Sequence, residues 1–123
     1  MSMFDLMSDF VARVNNAVTA QKSTVKVLKN NLVTQVCKKL VKLNYFESFA
    51  EGEDYELEVV LTKNITKLTR ISKPGKRVYT GFEKFPRVIG GKGWNIITSS
   101  KGVLTNFEAK EQKVGGELLF QII

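Results

Sequence analysis

The sequence contains no histidine and only one cysteine, and these two shortages exclude several kinds of site. Without histidine there is no His-based catalytic triad, histidine general base or histidine metal ligand. Cys37 alone can form neither an internal disulfide nor a structural zinc site. An enzyme would have to rely on lysine, carboxylate or serine chemistry, so we expect a non-enzyme that uses no metal, cofactor or small-molecule substrate.

Long apolar runs and targeting signals are also lacking. The apolar runs are only a few residues long, too short to span a bilayer. The first residues, MSMFDLMSDF, are acidic and resemble neither a secretion signal nor an Arg/Ser-rich transit peptide. We therefore expect the protein to work in the compartment where it is made.

Charge is abundant and unevenly distributed. Nineteen basic and twelve acidic residues give a net charge of +7. Residues 51–62 carry five acidic and no basic groups, whereas residues 63–101 carry ten basic groups and one acidic group. Such a basic block favours a polyanionic partner, although a solvated basic face would give the same pattern.

The first half of the chain predicts helix, strand, helix, strand, strand. Apolar residues from Met3 to Val14 recur at helical spacing, and those from Leu32 to Leu43 do the same. Cys37 lies on the second apolar face, which favours a buried small hydrophobe over a reactive thiol. Strands are predicted at residues 23–27, 45–49 and 55–61. We expect an N-terminal α/β domain at 1–62, with both helices on one sheet face.

The second half predicts a mostly antiparallel β domain at 63–123 with one short helix. Strands are predicted at residues 65–71, 76–79, 94–98, 103–104 and 117–123. Thr105 and Glu108 form a capping box for a helix over 105–111. The fold class expected for the whole chain is α+β in two small domains.

Two motifs carry chemistry of their own. In SKPGKRVY, residues 72–79, three cations surround a rigid Pro-Gly turn, Arg77 can bridge phosphate oxygens and Tyr79 can stack on a base. A basic hairpin with a structural tyrosine is the alternative. GGKG, residues 90–93, is not a phosphate-binding Walker loop, because Gly93 stands where Ser or Thr is needed.

The segment TSSKG, residues 98–102, offers three hydroxyls and a lysine that can contact a base edge, a ribose hydroxyl or a phosphate. A Ser/Lys catalytic dyad is the competing interpretation. If the segment is a strand, Ser100 and Lys101 point to opposite sides. Ser99 and Lys101 face the same way but have no third group to orient them, so binding is favoured.

Four segments together resemble one family. They are ISKPGKRVY (71–79), PRVIGGKGW (86–94), TSSKGVLTNFEA (98–109) and GGELL (115–119), in that order, preceded by an opening helix MSMFDLMSDFVARVNNA. Across the whole chain the sequence closely resembles the bacterial-type small ribosomal subunit protein number eight. The resemblance implies a two-domain α+β protein that binds the central domain of small-subunit rRNA and contacts neighbouring small-subunit proteins.

The resemblance also implies which residues bind RNA. They are Lys73, Pro74, Gly75, Arg77, Tyr79, Thr98, Ser99, Ser100, Lys101, Gly102, Gly115, Gly116 and Glu117. The chain departs from the family pattern at several positions. Thr98 replaces a serine, Lys76 an apolar residue, Trp94 an isoleucine and Asn106 an aspartate, and residues 28–31 lose the usual Pro-Ser-Ser-Lys.

Frequent lysine, asparagine and isoleucine are typical of an AT-rich genome. With a bacterial-type pattern this favours a mitochondrial ribosome, with a bacterial cytoplasm or a plastid as alternatives. The alternative function is a basic module that binds anionic membrane surfaces, or nucleic acid without specificity. Its only candidate membrane element is the second helix, whose apolar face the core is expected to need.

Overall fold

The computed structural model describes residues 3–72, 75–81 and 93–123. Two compact units make up the chain, Met1–Lys67 and Leu68–Ile123. The elements of the first are α1 (Met3–Thr19), β1 (Thr24–Leu28), α2 (Asn31–Lys42), β2 (Phe46–Glu51) and β3 (Glu56–Leu61). Those of the second are β4 (Leu68–Arg70), β5 (Tyr79–Thr80), β6 (Trp94–Ser99), β7 (Gly102–Thr105), α3 (Asn106–Gln112) and β8 (Gly116–Ile122).

The first unit is an antiparallel sheet of order β1-β3-β2 with helices packed on it. α1 packs on β1 and α2 on β2. In the central strand Leu57 and Val59 are fully buried while Glu58 between them is exposed, so one face holds the core. Phe10 of α1 meets Phe46 of β2 edge to face, with ring centroids 6.2 Å apart. The predicted arrangement of this unit is confirmed.

α2 begins at a well-formed cap. The Asn30 side-chain oxygen accepts a hydrogen bond from the Val33 backbone N–H at 2.7 Å, which satisfies a donor that the first helical turn leaves unpaired. Leu28, two residues earlier, is the last residue of β1. Residues 28–31, which replace the Pro-Ser-Ser-Lys of the family pattern, therefore contain the end of β1 and the start of α2.

Cys37 lies in the middle of the apolar face of α2. Its side chain is fully buried, and burial raises the pKa of the thiol from 9.0 to about 12 because a thiolate there would lose its solvation. The interpretation as a buried hydrophobe is confirmed. The neighbouring apolar residues of α2 are buried too, so this helix has no apolar face left to insert into a membrane.

The second unit is an antiparallel sheet of order β4-β8-β6-β7, with β5 also paired to β8. β8 is central and almost continuously buried. Ala109 of α3 packs against Ile97, Leu104 and Leu118, which places the helix on one sheet face. Within the described residues, no helix combines the length and the apolar character needed to cross a membrane.

α3 is capped as the sequence predicts. The Thr105 hydroxyl accepts from the Glu108 N–H at 3.2 Å, and the Glu108 carboxylate accepts from the Thr105 N–H at 3.1 Å. The helix ends at Lys113, whose φ of 57° lies in the left-handed region that commonly terminates helices.

Two predicted strands are much shorter than expected. The strand predicted at 65–71 is limited to Leu68–Arg70, and the one predicted at 76–79 to Tyr79–Thr80. The first strand begins only at Leu68 because Leu68 pairs with Ile122, the last residue of β8. Beyond Arg70, the Ile71 and Ser72 N–H groups still donate to carbonyls of β8, and the buried Ser72 hydroxyl accepts from the Val78 N–H at 2.8 Å across the turn.

The chain divides into its compact units between Lys67 and Leu68, a few residues after the division predicted at residue 62. Ile65 is buried and lines the same cavity as Val18 and Leu61, which explains why it belongs with the first unit. Whether each unit is a domain that folds alone stays a prediction.

Candidate nucleic-acid interface

The segment 98–102 is a tight hairpin rather than a continuous strand. Ser99 pairs with Gly102, so Ser100 and Lys101 form the two-residue connection between β6 and β7. Neither of them has a positive φ, whereas Gly102 has a φ of 100°. This is the pattern of a hairpin whose turn is followed by a glycine in a conformation that other residues rarely adopt.

The hairpin corrects the strand geometry assumed from sequence. Ser100 and Lys101 do not lie on opposite sides of a strand, because both lie in the turn. The Ser99 hydroxyl donates to the Gly102 carbonyl at 3.0 Å and accepts from the Lys101 N–H at 3.1 Å. Ser99 therefore holds the turn closed, while Ser100 and Lys101 are exposed to solvent.

Gly115 and Gly116 allow the start of β8 to pass very close to its neighbours. A Cβ on Gly116 would lie 2.2 Å from the Thr98 carbonyl oxygen, and a Cβ on Gly115 would lie 2.4 Å from the Thr80 carbonyl oxygen. Both obstacles are backbone atoms, which cannot rotate away as a side chain can. The two glycines therefore allow β5 and β6 to pack closely against the start of β8, at the end of the sheet that carries the hairpin.

Three of the predicted residues form one cross-strand row. Glu117 of β8 lies opposite Tyr79 of β5 on one side and opposite Thr98 of β6 on the other. Tyr79 is 65% exposed, whereas Glu117 is buried. In this row the Tyr79 ring is therefore exposed to solvent, whereas the Glu117 carboxylate is buried.

Glu117 interacts electrostatically with Arg70 of β4. Burial lowers the pKa of the Arg70 guanidinium, and the negative charge of Glu117 acts in the opposite direction. The Arg70 Nε donates to the Ser72 carbonyl oxygen. One carboxylate oxygen of Glu117, Oε2, is buried without a hydrogen-bond partner among the described residues. Glu117 is therefore a buried carboxylate rather than a group on the surface.

The basic turn is only partly described. Lys73 and Pro74 lie outside the described residues, and so do Gly90, Gly91 and Lys92 of the GGKG segment. Gly75 and Arg77 are exposed. The turn returns to the sheet at Val78, whose carbonyl accepts from the Leu118 N–H at 2.9 Å.

Sequence reasoning missed the residues that hold this region together. Arg70 and Ser72 carried no assigned role, although a serine directly before Lys-Pro-Gly is a recognisable position for a side chain that closes a turn. A buried amide pair was also missed: the Gln121 Nε2 donates to the Asn95 Oδ1 at 2.8 Å. Only the pairing of β6 with β8 brings these amides together, so no local signal could have shown them.

The structure thus brings the hairpin at 98–102, the glycine pair and Tyr79 to one end of the second sheet. Exposed groups there are a hydroxyl on Ser100, an ammonium on Lys101 and the ring of Tyr79. Such groups bind phosphates, accept or donate hydrogen bonds and stack on bases. The arrangement has the chemistry of a binding surface.

Comparison with known proteins gives a family. The family model described as Ribosomal protein S8 matches residues 5–123. The small ribosomal subunit protein uS8 of Bacteroides fragilis is 40% identical, covering 95% of this chain and 97% of the relative. That of Microcystis aeruginosa is 38% identical over 99% of both chains. The uS8c protein of Anthoceros angustus is 34% identical, over 94% of this chain and 95% of the relative. This chain therefore belongs to the ribosomal protein S8 family.

Proposed function

We propose that this protein is a structural constituent of the small ribosomal subunit, which binds the central domain of small-subunit rRNA through its second unit. The observation that carries the proposal is the meeting of the 98–102 hairpin, the glycine pair and Tyr79 at one end of a single sheet. Family membership supports a ribosomal role, and the relatives carry the name of a small-subunit protein.

The exposed groups divide the work of binding. Lys76, Arg77 and Lys101 attract phosphates, so affinity falls as salt rises. The Ser100 hydroxyl contacts a base edge or ribose in a non-duplex feature, and Tyr79 stacks on a base. Ser99, Gly102, Gly115, Gly116 and Glu117 contribute by shaping the surface. The mechanism is docking without chemical turnover, and other small-subunit proteins are the further partners.

The experiment that tests the proposal is filter binding of the full chain to a central-domain rRNA fragment and to an unrelated RNA hairpin. We expect markedly tighter binding to the fragment at moderate salt. Equal affinity for both RNAs would support binding without specificity instead. Sedimentation with anionic liposomes tests the membrane alternative, for which the buried apolar face of α2 gives no support.

Ser100→Ala refines the test. We expect a loss of about 1–3 kcal/mol of specific affinity if the hydroxyl makes a hydrogen bond buried by the RNA. Ser48→Ala is the control, because Ser48 is also an exposed serine but lies on β2 of the first unit. If Ser100→Ala binds the fragment as tightly as the wild type, the role of Ser100 is wrong.

A mitochondrial ribosome remains our proposal for the location, on the composition of the chain. The relatives compared include bacterial proteins and the uS8c protein of Anthoceros angustus, so they support a ribosome of bacterial type without favouring mitochondria. The test is to locate the gene. Finding it on a bacterial chromosome or a plastid genome would overturn the mitochondrial assignment.

A further inference from the structure

Two aromatic side chains form an exposed pair in the second unit. Trp94, the first residue of β6, meets Phe107 of α3 edge to face, with ring centroids 5.3 Å apart and planes inclined by 82°. Phe107 is 60% exposed, and Trp94 is partly buried. A phenylalanine with most of its surface in water gains little from burial in this fold, so packing alone does not explain the pair.

The two rings are held by rigid neighbours. The Asn95 N–H donates to the Asn106 Oδ1 at 3.1 Å, which ties the residue after Trp94 to the residue before Phe107. The asparagine at 106 keeps the acceptor that the family's aspartate would provide. Gly93, directly before β6, has a φ of 117°, which other residues rarely adopt. A Cβ at this position would lie 2.1 Å from the Ile122 carbonyl oxygen, so the backbone before Trp94 packs closely against β8. The rings are therefore pre-positioned, which lowers the entropic cost of binding.

The net charge of the unit that carries the pair favours a polyanion. The second unit contains ten basic and four acidic residues, a net charge of +6. Two of the four carboxylates are engaged within the unit. Glu117 is buried and interacts with Arg70, and the Glu108 carboxylate accepts from the Thr105 N–H at the start of α3. An aromatic surface on a basic unit combines the two elements of single-stranded nucleic-acid binding.

The pair lies at the other end of β6 from the hairpin, within reach of one bound RNA. Trp94 and Thr98 lie on the same strand four residues apart, a distance of about 13 Å at the usual rise per residue. We propose that Trp94 and Phe107 form an additional stacking platform for an unpaired base of the rRNA bound by this unit. This inference rests on the proposed function and adds a contact to it.

Trp94 supplies its own probe, because it is the only tryptophan in the chain. The full chain is titrated with the central-domain rRNA fragment while tryptophan emission is recorded. We expect emission to change in proportion to the bound fraction measured by filter binding. Phe107→Ala should weaken binding about 10-fold, within the range typical of losing one stacked base.

Two matched variants separate stacking from other effects. Tyr55→Ala removes an aromatic side chain that is 85% exposed in the first unit, and it should bind RNA like the wild type. Phe107→Tyr keeps an aromatic ring and should restore most of the affinity lost in Phe107→Ala. Thermal unfolding of each variant checks that the fold is intact, which the exposure of residue 107 leads us to expect.

The outcomes distinguish this inference from the function beneath it. If the wild type binds the fragment specifically, but emission is unchanged and Phe107→Ala binds normally, the stacking platform is wrong and the proposed function stands. The same result is expected if the two rings contact a neighbouring protein instead of RNA, because that protein is absent from the assay. If the wild type does not prefer the fragment over an unrelated hairpin, the proposed function itself fails.

Discussion

The two units of the molecule use charge in different ways. The first contains nine basic and eight acidic residues, a net charge of +1, and the second has a net charge of +6. In the first, acidic residues of the β2–β3 hairpin pair with nearby cations: Glu51 binds Lys29, and Glu56 lies 3.4 Å from Arg13. In the second, Lys76 and Lys101 are exposed to solvent. The difference indicates that positive charge is compensated in one unit and available for binding in the other.

The units also differ in what holds them together. The first relies on side-chain packing between helices and a sheet, with fully buried residues such as Phe10, Leu40 and Leu57. The second depends, in addition, on close backbone contacts at Gly93, Gly115 and Gly116. A packed core tolerates a change of shape at moderate cost, whereas a backbone contact tolerates no added atom. Four predictions test this comparison, beginning with the largest effect.

Gly116→Ala should be the most damaging single substitution. Its Cβ would lie 2.2 Å from the Thr98 carbonyl oxygen, so β8 would have to separate from β6. We expect a loss of more than about 3 kcal/mol in the free energy of unfolding, measured with urea. Gly81→Ala is the control, because its Cβ would meet no atom of the described residues within 4 Å. Equal stability of the two variants would show that the close contact has no energetic consequence.

Leu57→Ala should destabilise the first unit without altering the RNA surface. Leu57 is fully buried in the central strand, and large-to-small core substitutions cost about 2–5 kcal/mol. We expect a lower urea midpoint, with rRNA affinity unchanged once the folded fraction is corrected for. Weaker binding by the folded variant would contradict the assignment of binding to the second unit.

Lys101→Gln should change the salt dependence of RNA binding. An exposed lysine that contacts a phosphate contributes about one to the slope of log affinity against log salt. We therefore expect the slope to fall by about one for Lys101→Gln. Lys38→Gln, which removes an exposed lysine from α2, should leave it unchanged. Equal losses would mean that both units attract RNA alike.

The smallest effect concerns Cys37 at alkaline pH. Because burial raises its pKa from 9.0 to about 12, the thiol stabilises the fold below pH 9, and this contribution is lost as the pH rises toward 12. We expect the wild type to lose about 1 kcal/mol more than Cys37→Ala between pH 9 and pH 10. Urea unfolding at both values measures this. Parallel losses would indicate that the thiol ionises in the folded state.

Local sequence signals predicted most of the elements. The helical periodicity of α1 and α2, the capping box at Thr105 and Glu108 and the burial of Cys37 are all confirmed. These features depend on residues within a few positions of one another, so the sequence carries the whole signal. The strands at 65–71 and 76–79 were predicted too long, because their extent depends on where β8, distant in sequence, pairs with them.

The candidate site was only partly accessible to sequence reasoning. Its segments were identified from their residue types and from resemblance to a family. The pattern could not show that Ser99 closes the turn while Ser100 is exposed, or that Glu117 is buried beside Arg70. Those facts depend on how β5, β6, β7 and β8 align, and strand alignment joins residues that are distant in sequence.

By itself the sequence determined the α+β class, the helices, the capping box at the start of α3 and the concentration of positive charge in residues 63–101. Periodicity and charge are local properties, and the chain displays them before it folds. Only the tertiary structure decided which hydroxyls and cations share one end of the second sheet, and why two glycines are required at that same end. Both depend on the pairing of strands that are distant in sequence, and a methyl group added at Gly116 would force β8 away from β6.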